Sequence, residues 1–233
     1  MAITAAQVKE LREITGAGMM DCKKALADTD GDMDAAIELM RKSGQANAEK
    51  KAGRTAADGV VVIRQADGVA VMVEVNCETD FVAKDENFGA FAEAVAGRVL
   101  SDNPTDIDAL MALPLKDGEA TTVEEARQTL IAKIGENIGV RRFTRLEAGG
   151  SIASYRHGVR IGVMVDVAGG DEALGKDLAM HIAAHDPSPV CVSNDEVPED
   201  MVAREREIFT AQARESGKPE NIIEKMIEGR IRK

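Results

Sequence analysis

The residues best suited to acid–base or metal chemistry are few: His157, His181, His185, Cys22, Cys77 and Cys191. His181 and His185 are four residues apart, so one helix face could present both to a metal ion. A zinc site needs further ligands, yet no third ligand and no H-E-x-x-H pattern accompanies this pair. The cysteines are odd in number and form no C-x-x-C, which indicates neither a zinc site nor a disulfide framework. We therefore expect no metal site, and ordinary packing or surface histidines.

Phosphate chemistry is the next class to consider. The stretch from Gly16 to Lys24 superficially resembles a phosphate-binding loop. However, the pattern G-x-x-x-x-G-K-[ST] is absent, because Gly18 comes too early and Lys23 is followed by Lys24. The patterns G-x-G-x-x-G and G-x-S-x-G are absent too. Nothing in the sequence demands an active site, so we predict no catalytic residue, no cofactor and no enzyme activity.

The charge balance argues against nucleic acid as a partner. The chain has 41 acidic and 29 basic side chains and a formal net charge of -12. That sign opposes the counterion release through which proteins bind nucleic acid. Five basic residues lie between Arg41 and Arg54 with one acid, Glu49. We interpret them as a solvated helix end and linker, with a phosphate-binding patch as the alternative.

No segment of the sequence has the character of a membrane or export signal. The first residues carry no apolar run of signal-peptide length, and no 18-residue apolar stretch occurs elsewhere. The cysteine usage fits a reducing compartment. We therefore predict no membrane association and a cytoplasmic location.

Three short helices are predicted in residues 4–43. Thr4 and Gln7 have the spacing of a capping box, which indicates where the first helix begins. Helical spacing predicts that the third helix ends at Ser43 and Gly44. The expected core-facing residues of the first two helices are Val8, Leu11, Ile14, Met19, Cys22, Ala25 and Leu26. Residues 1–52 therefore form a ubiquitin-associated-like three-helix domain with a linker, whose size suits docking better than chemistry.

An internal repeat occupies the middle of the chain. VAVMVEV (residues 69–75) matches IGVMVDV (residues 161–167). Each copy follows a β-rich segment and a turn, and each precedes a helical stretch. The repeat predicts two related subdomains of antiparallel strands plus helices, a core N-subdomain at 53–139 and a core C-subdomain at 140–187. The expected fold class is α+β.

The last 46 residues, 188–233, have the composition of a coiled-coil hairpin. Two charged amphipathic helices, 196–215 and 219–232, are separated by a turn at residues 216–219. The apolar residues expected to face one another across the hairpin are Val197, Met201, Ile208, Ile222, Ile223, Met226 and Ile227. Such a hairpin offers a surface for self-association, so homodimerisation through 195–232 is a possible use of it.

Two long segments resemble the signature motifs of the elongation factor Ts family almost residue for residue. They are LREITGAGMMDCKKAL (residues 11–26) and EVNCETDFVAK (residues 74–84). KIGEN (residues 133–137) and HGVRIG (residues 157–162) are similar to further landmarks of that family. The resemblance covers essentially the whole chain in order. Members usually continue past the hairpin, with a segment that completes the second subdomain and a C-terminal helix, whereas this sequence ends at Lys233.

The resemblance implies a non-enzymatic function: exchange of guanine nucleotide on elongation factor Tu, in its GDP-bound and nucleotide-free states. It implies that the loop Thr79-Asp80-Phe81-Val82 enters the partner near its Mg²⁺, with Phe81 as a wedge. It implies a second contact with the partner's G domain through Arg12, Met19, Met20 and Lys23. His157 and Arg160 would meet the partner's β-barrel domain.

Other interpretations of the same residues remain open. Thr79 or Asp80 could simply cap the following helix while Phe81 packs into the local core. Met20 could be an ordinary exposed apolar residue, since helical geometry turns it away from the stripe of its own helix. The chain could also be a ubiquitin-associated-type adaptor that binds partners without exchange, or a metal enzyme that uses His181 and His185.

Overall fold

The computed structural model describes residues 3–215 and 220–231. Three helices open the chain: α1 (Ala5–Thr15), α2 (Met19–Asp28) and α3 (Met33–Lys51). α1 begins with the predicted capping box between Thr4 and Gln7 and ends at Gly16, whose φ of +66° suits glycine. One small core joins the three helices and consists of Val8, Leu11, Cys22, Ala25, Leu26 and Ala36.

Two residues predicted for that core lie outside it. Ile14 is 56% exposed and Met19 is 60% exposed. Ile14 belongs to the last turn of α1, and Met19 is the first residue of α2. Both therefore flank the loop between the two helices. The prediction that they face the core was wrong.

The main sheet has three antiparallel strands in the order β1-β2-β3: β1 (Asp58–Ala66), β2 (Val69–Cys77) and β3 (Gly139–Glu147). Four helices lie between β2 and β3 in the chain, namely α4 (Asp80–Ala83), α5 (Glu86–Asp102), α6 (Ile107–Ala112) and α7 (Val123–Ile134). The largest fully buried side chains of the shared core are Phe88, Val71, Val73, Val75, Val95, Val99, Leu110, Val123, Ile131 and Ile138. By its pairing β3 belongs to the first sheet, although its residues 140–147 lie in the segment assigned to the second subdomain. The four-domain division stays a prediction.

The second copy of the repeat forms its own antiparallel hairpin, β4 (Ser151–His157) and β5 (Ile161–Val167), followed by α8 (Glu172–Ala184). The hairpin contacts the first sheet closely, since the Val61 N–H donates to the Val159 carbonyl oxygen over 2.7 Å. Gly162 permits this approach, because a Cβ there would lie 2.7 Å from side-chain atoms of both Val61 and Met72. The matched strands β2 and β5 are each the second strand of an antiparallel hairpin.

α3 is longer than predicted, because it passes through Ser43 and Gly44 and ends at Lys51. Gly44 is buried, and the position of a Cβ on it lies 3.9 Å from the Gln128 carbonyl oxygen of α7. Ala48, one turn further on, belongs to the main core. Packing against α7 therefore outweighs the weak helix propensity of glycine, about 1 kcal/mol relative to alanine.

Residues 184–233 form a compact unit separate from residues 1–183. It contains a short 3-10 helix (Asn194–Glu196), α9 (Glu199–Glu215) and α10 (Glu220–Ile231). α9 begins three residues later than predicted; Pro198, which has no N–H, precedes it and accepts hydrogen bonds from the Met201 and Val202 N–H groups. The predicted turn at 216–219 lies outside the described residues.

The seam between α9 and α10 matches the prediction only in part, because Ile223 and Ile227 were predicted for it and Ala213 was not. It consists of Ala213, Ile223 and Ile227, with Phe209 and Ile231 packed against them. These positions repeat every four residues, so they line one face of each helix. Met201, Ile208, Ile222 and Met226 are instead 39–45% exposed, and their assignment to the inner face was wrong.

The mixture of N-terminal helices, two small antiparallel sheets and C-terminal helices confirms the predicted α+β class. Within residues 3–215 and 220–231, none of the helices combines the length and the apolar character needed to cross a bilayer.

Candidate partner-binding site

The connector between β2 and α5 contains the most exposed aromatic ring of the described chain, that of Phe81, with 80% of its surface accessible. α4 is only four residues long, and Thr79 caps it by accepting a hydrogen bond from the Val82 N–H. Val82 and Ala83 on the same helix are buried in the main core. One side of α4 is therefore fixed to the core while Phe81 points to solvent. The interpretation of Phe81 as a local core residue was wrong, whereas the capping role of Thr79 is confirmed.

A carboxylate from a distant part of the chain holds this connector. Glu136, which follows α7, accepts hydrogen bonds from the N–H groups of Glu78 and Thr79, each over 3.0 Å through Oε2. Its Oε1 accepts from the Thr79 hydroxyl over 2.7 Å. The two residues that precede α4 are thus bound to a second segment of the core.

Asp80 places a negative charge beside the exposed ring. Its carboxylate accepts a hydrogen bond from the Lys84 ammonium group over 2.7 Å, and both side chains are exposed. The hydrogen bond and the positive charge of Lys84 lower the pKa of Asp80. At neutral pH the connector therefore presents an ionised carboxylate next to an apolar surface.

Cys77 lies beneath the connector, and its thiol is expected to be unreactive. Its thiol donates to the Thr79 carbonyl oxygen over 3.2 Å. Burial, together with the negative charges of Glu136 and Asp58, raises the pKa of Cys77 to about 11. A protonated buried thiol is a poor nucleophile, so Cys77 has a structural role.

The second predicted surface is formed by the end of α1 and the start of α2. Arg12, Met19, Met20 and Lys23 are all exposed, and Met20 retains 74% of its accessible surface. Ile14 on the same segment adds a third apolar side chain to the two methionines. Unbranched, polarisable methionines beside a glycine-bounded loop suit a surface that adapts to a partner.

The third predicted pair, His157 and Arg160, lies at the turn between β4 and β5. The His157 Nδ1 is 3.0 Å from the Tyr155 hydroxyl oxygen, and an Arg160 guanidinium nitrogen lies 3.7 Å from an Asp58 carboxylate oxygen. Both residues are exposed. The structure therefore gathers the predicted residues into three sets on three different elements: α4, the α1–α2 corner and the β4–β5 turn.

Comparison with known proteins decides the family. A family model described as elongation factor TS matches residues 78–233. The chain is 63% identical to elongation factor Ts of Thioalkalivibrio sulfidiphilus, over 100% of this chain and 79% of the relative. It is 58% identical to the proteins of the same name from Psychrobacter cryohalolentis and Halorhodospira halophila, which cover 99% and 100% of this chain and of which 77% and 79% are covered.

The chain belongs to the elongation factor Ts family. The resemblance found in the sequence motifs is confirmed, and the protein is one of the elongation factors of protein biosynthesis. Among the residues that the structure describes, no group of three or more His, Cys, Asp or Glu side chains is arranged to hold a metal ion.

Two residues at the candidate site of this elongation factor Ts family member, Ile14 and Glu136, were not predicted from the sequence. Ile14 had been assigned to the core because it continues an apolar stripe. Glu136 lies within KIGEN, and no local pattern showed that its carboxylate reaches Thr79, 57 residues away in the chain. Val82, which the resemblance places in the same loop, packs inside this chain and is 9% exposed. Its contact with a partner stays a prediction.

Proposed function

We propose that this chain is a guanine nucleotide exchange factor for elongation factor Tu. The observation that carries the proposal is the ring of Phe81, 80% exposed on a short helix that is fixed to the core by Val82 and Glu136. The family assignment and the match of residues 74–84 to a family signature support the same function. Phe81 and Asp80 act at the partner's Mg²⁺ and phosphate site.

The mechanism requires binding energy and no chemical step. The partner holds GDP through a phosphate loop and a Mg²⁺ that neutralises the phosphates. A protein that binds the nucleotide-free state more tightly than the GDP state must weaken GDP binding by the same free energy. The chain therefore binds both states, prefers the nucleotide-free one and is not an enzyme.

Phe81 suits the role of a wedge because an aromatic ring supplies a large rigid contact area with few rotatable bonds. Its exposure in the free protein means that no internal contact must be broken before it enters a partner. Asp80 adds a charge that competes for polar groups around the metal. Thr79 orients both side chains by capping α4.

Two further contacts complete the proposed interface. Arg12, Met19, Met20 and Lys23 dock on the partner's G domain, and the exposed Ile14 extends that surface. His157 and Arg160 meet the β-barrel domain of the partner. We place the activity in the cytoplasm, where translation elongation takes place.

The test is the rate at which labelled GDP leaves elongation factor Tu in the presence of catalytic amounts of this chain. Phe81→Ala should slow the accelerated release roughly 10- to 100-fold, which corresponds to a hot-spot loss of about 1.4–2.8 kcal/mol. The melting temperature should not fall, because Phe81 contributes little to the core. Val192→Ala, which truncates an apolar side chain that is 98% exposed in the C-terminal unit, is the matched control.

The adaptor interpretation predicts a different pattern. If the chain only binds through its N-terminal unit, Met20→Ala should weaken binding while no variant changes GDP release. Unaltered release by the Phe81→Ala protein, with normal binding, would contradict the exchange proposal and favour the adaptor.

Self-association through 195–232 is a separate proposal. Met201, Ile208, Ile222 and Met226 expose apolar surface on α9 and α10, and such a stripe is available to a second copy. Sedimentation of the native protein at increasing concentration, with Ile208→Ser beside the parent, tests it. A monomer at all concentrations would exclude this use of the hairpin.

A further inference from the structure

We infer that Glu136 is a positioning residue for the wedge: it holds residues 78–79 so that Phe81 remains extended into solvent. The effect of Glu136 on GDP release rests on the proposed exchange function. The three hydrogen bonds that Glu136 accepts from residues 78 and 79, here called the clamp, can be tested without the partner. Glu136 acts through Thr79 and the direction of α4.

The first argument is hydrogen bonding. The N–H groups of Glu78 and Thr79 lie after the end of β2 and before the first turn of α4. Both residues are half-buried, and a buried backbone donor without an acceptor is costly. The Glu136 carboxylate accepts from both donors and from the Thr79 hydroxyl, at 3.0, 3.0 and 2.7 Å. Hydrogen bonds to an ionised acceptor are the stronger kind, so one side chain fixes the backbone of the connector.

The second argument concerns the hydrophobic effect. An exposed phenyl ring gains free energy by folding onto any apolar surface of its own chain, at roughly 25 cal/mol for each Å² removed from water. The structure nevertheless keeps the ring outside. Rotation of α4 is opposed on one side by the buried Val82 and on the other by the Glu136 clamp at the N-terminus of the helix. Loss of Glu136 removes the second of these restraints, so α4 can rotate.

A reciprocal contact makes the clamp stiffer and extends it. Glu78 accepts a hydrogen bond from the Asn137 N–H over 2.6 Å, so residues 78–79 and 136–137 hold each other. The Asn137 side-chain amide donates to the carbonyl oxygens of Arg54 and Ala52, over 2.8 and 3.4 Å. The same polar cluster therefore joins the wedge to the linker that follows α3.

The chain contains no tryptophan, which permits a direct measurement of the ring's freedom. In a Phe81→Trp protein the single indole reports on α4 through its fluorescence anisotropy and its quenching by iodide. Adding Glu136→Ala should lower the anisotropy and change the quenching constant by a factor of about two or more, as expected when a fixed segment becomes mobile on the nanosecond scale. Glu136→Gln keeps a carbonyl acceptor and should restore most of the parent signal.

The second readout is GDP release in the Phe81 background. Glu136→Ala should lower the maximal release rate about tenfold, because misplacement of a contact group costs rate more than encounter. The half-saturating concentration should change less, since the N-terminal contact is intact. Thr79→Val, which removes the hydroxyl that donates to Glu136, should behave like a milder Glu136→Ala. Glu93→Ala, which removes a surface ion pair with Arg64, is the control for loss of a carboxylate.

The outcomes separate the two proposals. Unchanged anisotropy and unchanged release in Glu136→Ala would overturn the positioning role, as would a Glu136→Gln variant no better than Glu136→Ala. If Glu136→Ala fails to fold, Thr79→Val decides in its place, and an unchanged anisotropy of the indole at position 81 in that variant would overturn the positioning role. Full activity of Phe81→Ala would overturn the exchange function alone, because the anisotropy series reports on the clamp without the partner.

Discussion

The two copies of the repeat share a hairpin and a following helix but differ in the segment that connects them. In the second copy, Gly169 and Gly170 turn the chain with φ values of +88° and +81°. Asp171 then accepts a hydrogen bond from the Leu174 N–H over 2.9 Å as α8 begins. In the first copy, a clamped turn of helix intervenes and presents Phe81. The hairpin–helix unit is therefore common to both copies, and the proposed binding function belongs to the first connector alone.

The helix after each connector offers the sharpest way to break this comparison. Phe88 at the start of α5 is completely buried, whereas Leu174 at the start of α8 is 47% exposed. Phe88→Ala should lower the free energy of unfolding by about 3–5 kcal/mol, because it leaves a cavity in the main core. Leu174→Ala should cost less than about 1 kcal/mol. Urea unfolding followed by circular dichroism measures both, and equal losses would show that the two helices are buried alike.

A glycine near the open end of each hairpin tests what the copies have in common. A Cβ on Gly59 would overlap the Val75 carbonyl oxygen, and one on Gly150 would overlap the Val167 carbonyl oxygen. Gly59 also has a φ of +145°. Alanine at either position should therefore cost about 2–3 kcal/mol in unfolding free energy. Gly53→Ala, where a Cβ would meet nothing within 4 Å, is the control. Normal stability of either hairpin variant would refute the shared backbone geometry.

The buried thiol at the end of β2 should make the stability of the first copy depend on alkaline pH. The pKa of Cys77 is raised from an ordinary value of 9.0 to about 11, so the folded state keeps its proton longer than the unfolded state. Stability from this group is present below pH 9 and is lost as the pH rises from 9 to 11. The loss should be of order 1–2 kcal/mol.

The control for this pH dependence is Cys77→Ala. Its unfolding free energy, measured by urea titration at several pH values, should decline less between pH 9 and 11 than that of the parent. Parallel curves for the two proteins would show that burial does not keep the Cys77 thiol protonated between pH 9 and 11.

The smallest effect is expected at the surface of the first connector. The pKa of Asp80 is lowered by the hydrogen bond and charge of Lys84, and both side chains are exposed. Lys84→Ala should return that pKa towards its ordinary value in an NMR titration, with no measurable change in melting temperature. A large fall in melting temperature would mean that this ion pair, and not Glu136, holds α4.

Local patterns in the sequence predicted the elements well, because the forces behind them are local. The Thr4–Gln7 capping box is confirmed, and the repeated strand pattern correctly indicated two hairpins with helices after them. The end of α3 was predicted too early. Glycine weakens a helix, but packing of Gly44 against α7 compensates for this loss, so the helix continues. Periodicity identified an apolar stripe on α1 but could not show that its contacts stop before Ile14.

At the candidate site, too, local patterns predicted some features, whereas contacts between distant segments were not predicted. The exposure of Phe81 agrees with the resemblance of its motif, and Met20 is exposed as its helical position indicates. The seam of the C-terminal hairpin was predicted correctly only at Ile223 and Ile227, because the apolar residues of α9 and α10 are compatible with more than one inner face. The contact between Glu136 and Thr79 depends on how two distant segments meet, which no local pattern contains.

The uninterrupted length of α3 has a consequence for the affinity of the whole molecule. Nineteen residues of helix span about 28 Å and run from the three-helix core into the main core, so the two units are not joined by a slack tether. In the proposed complex with elongation factor Tu, this stiff connection, and not chain diffusion, would set the local concentration of Phe81 at its binding site once Met19 and Met20 had docked. A substitution that bends α3 would then weaken binding without altering either proposed contact.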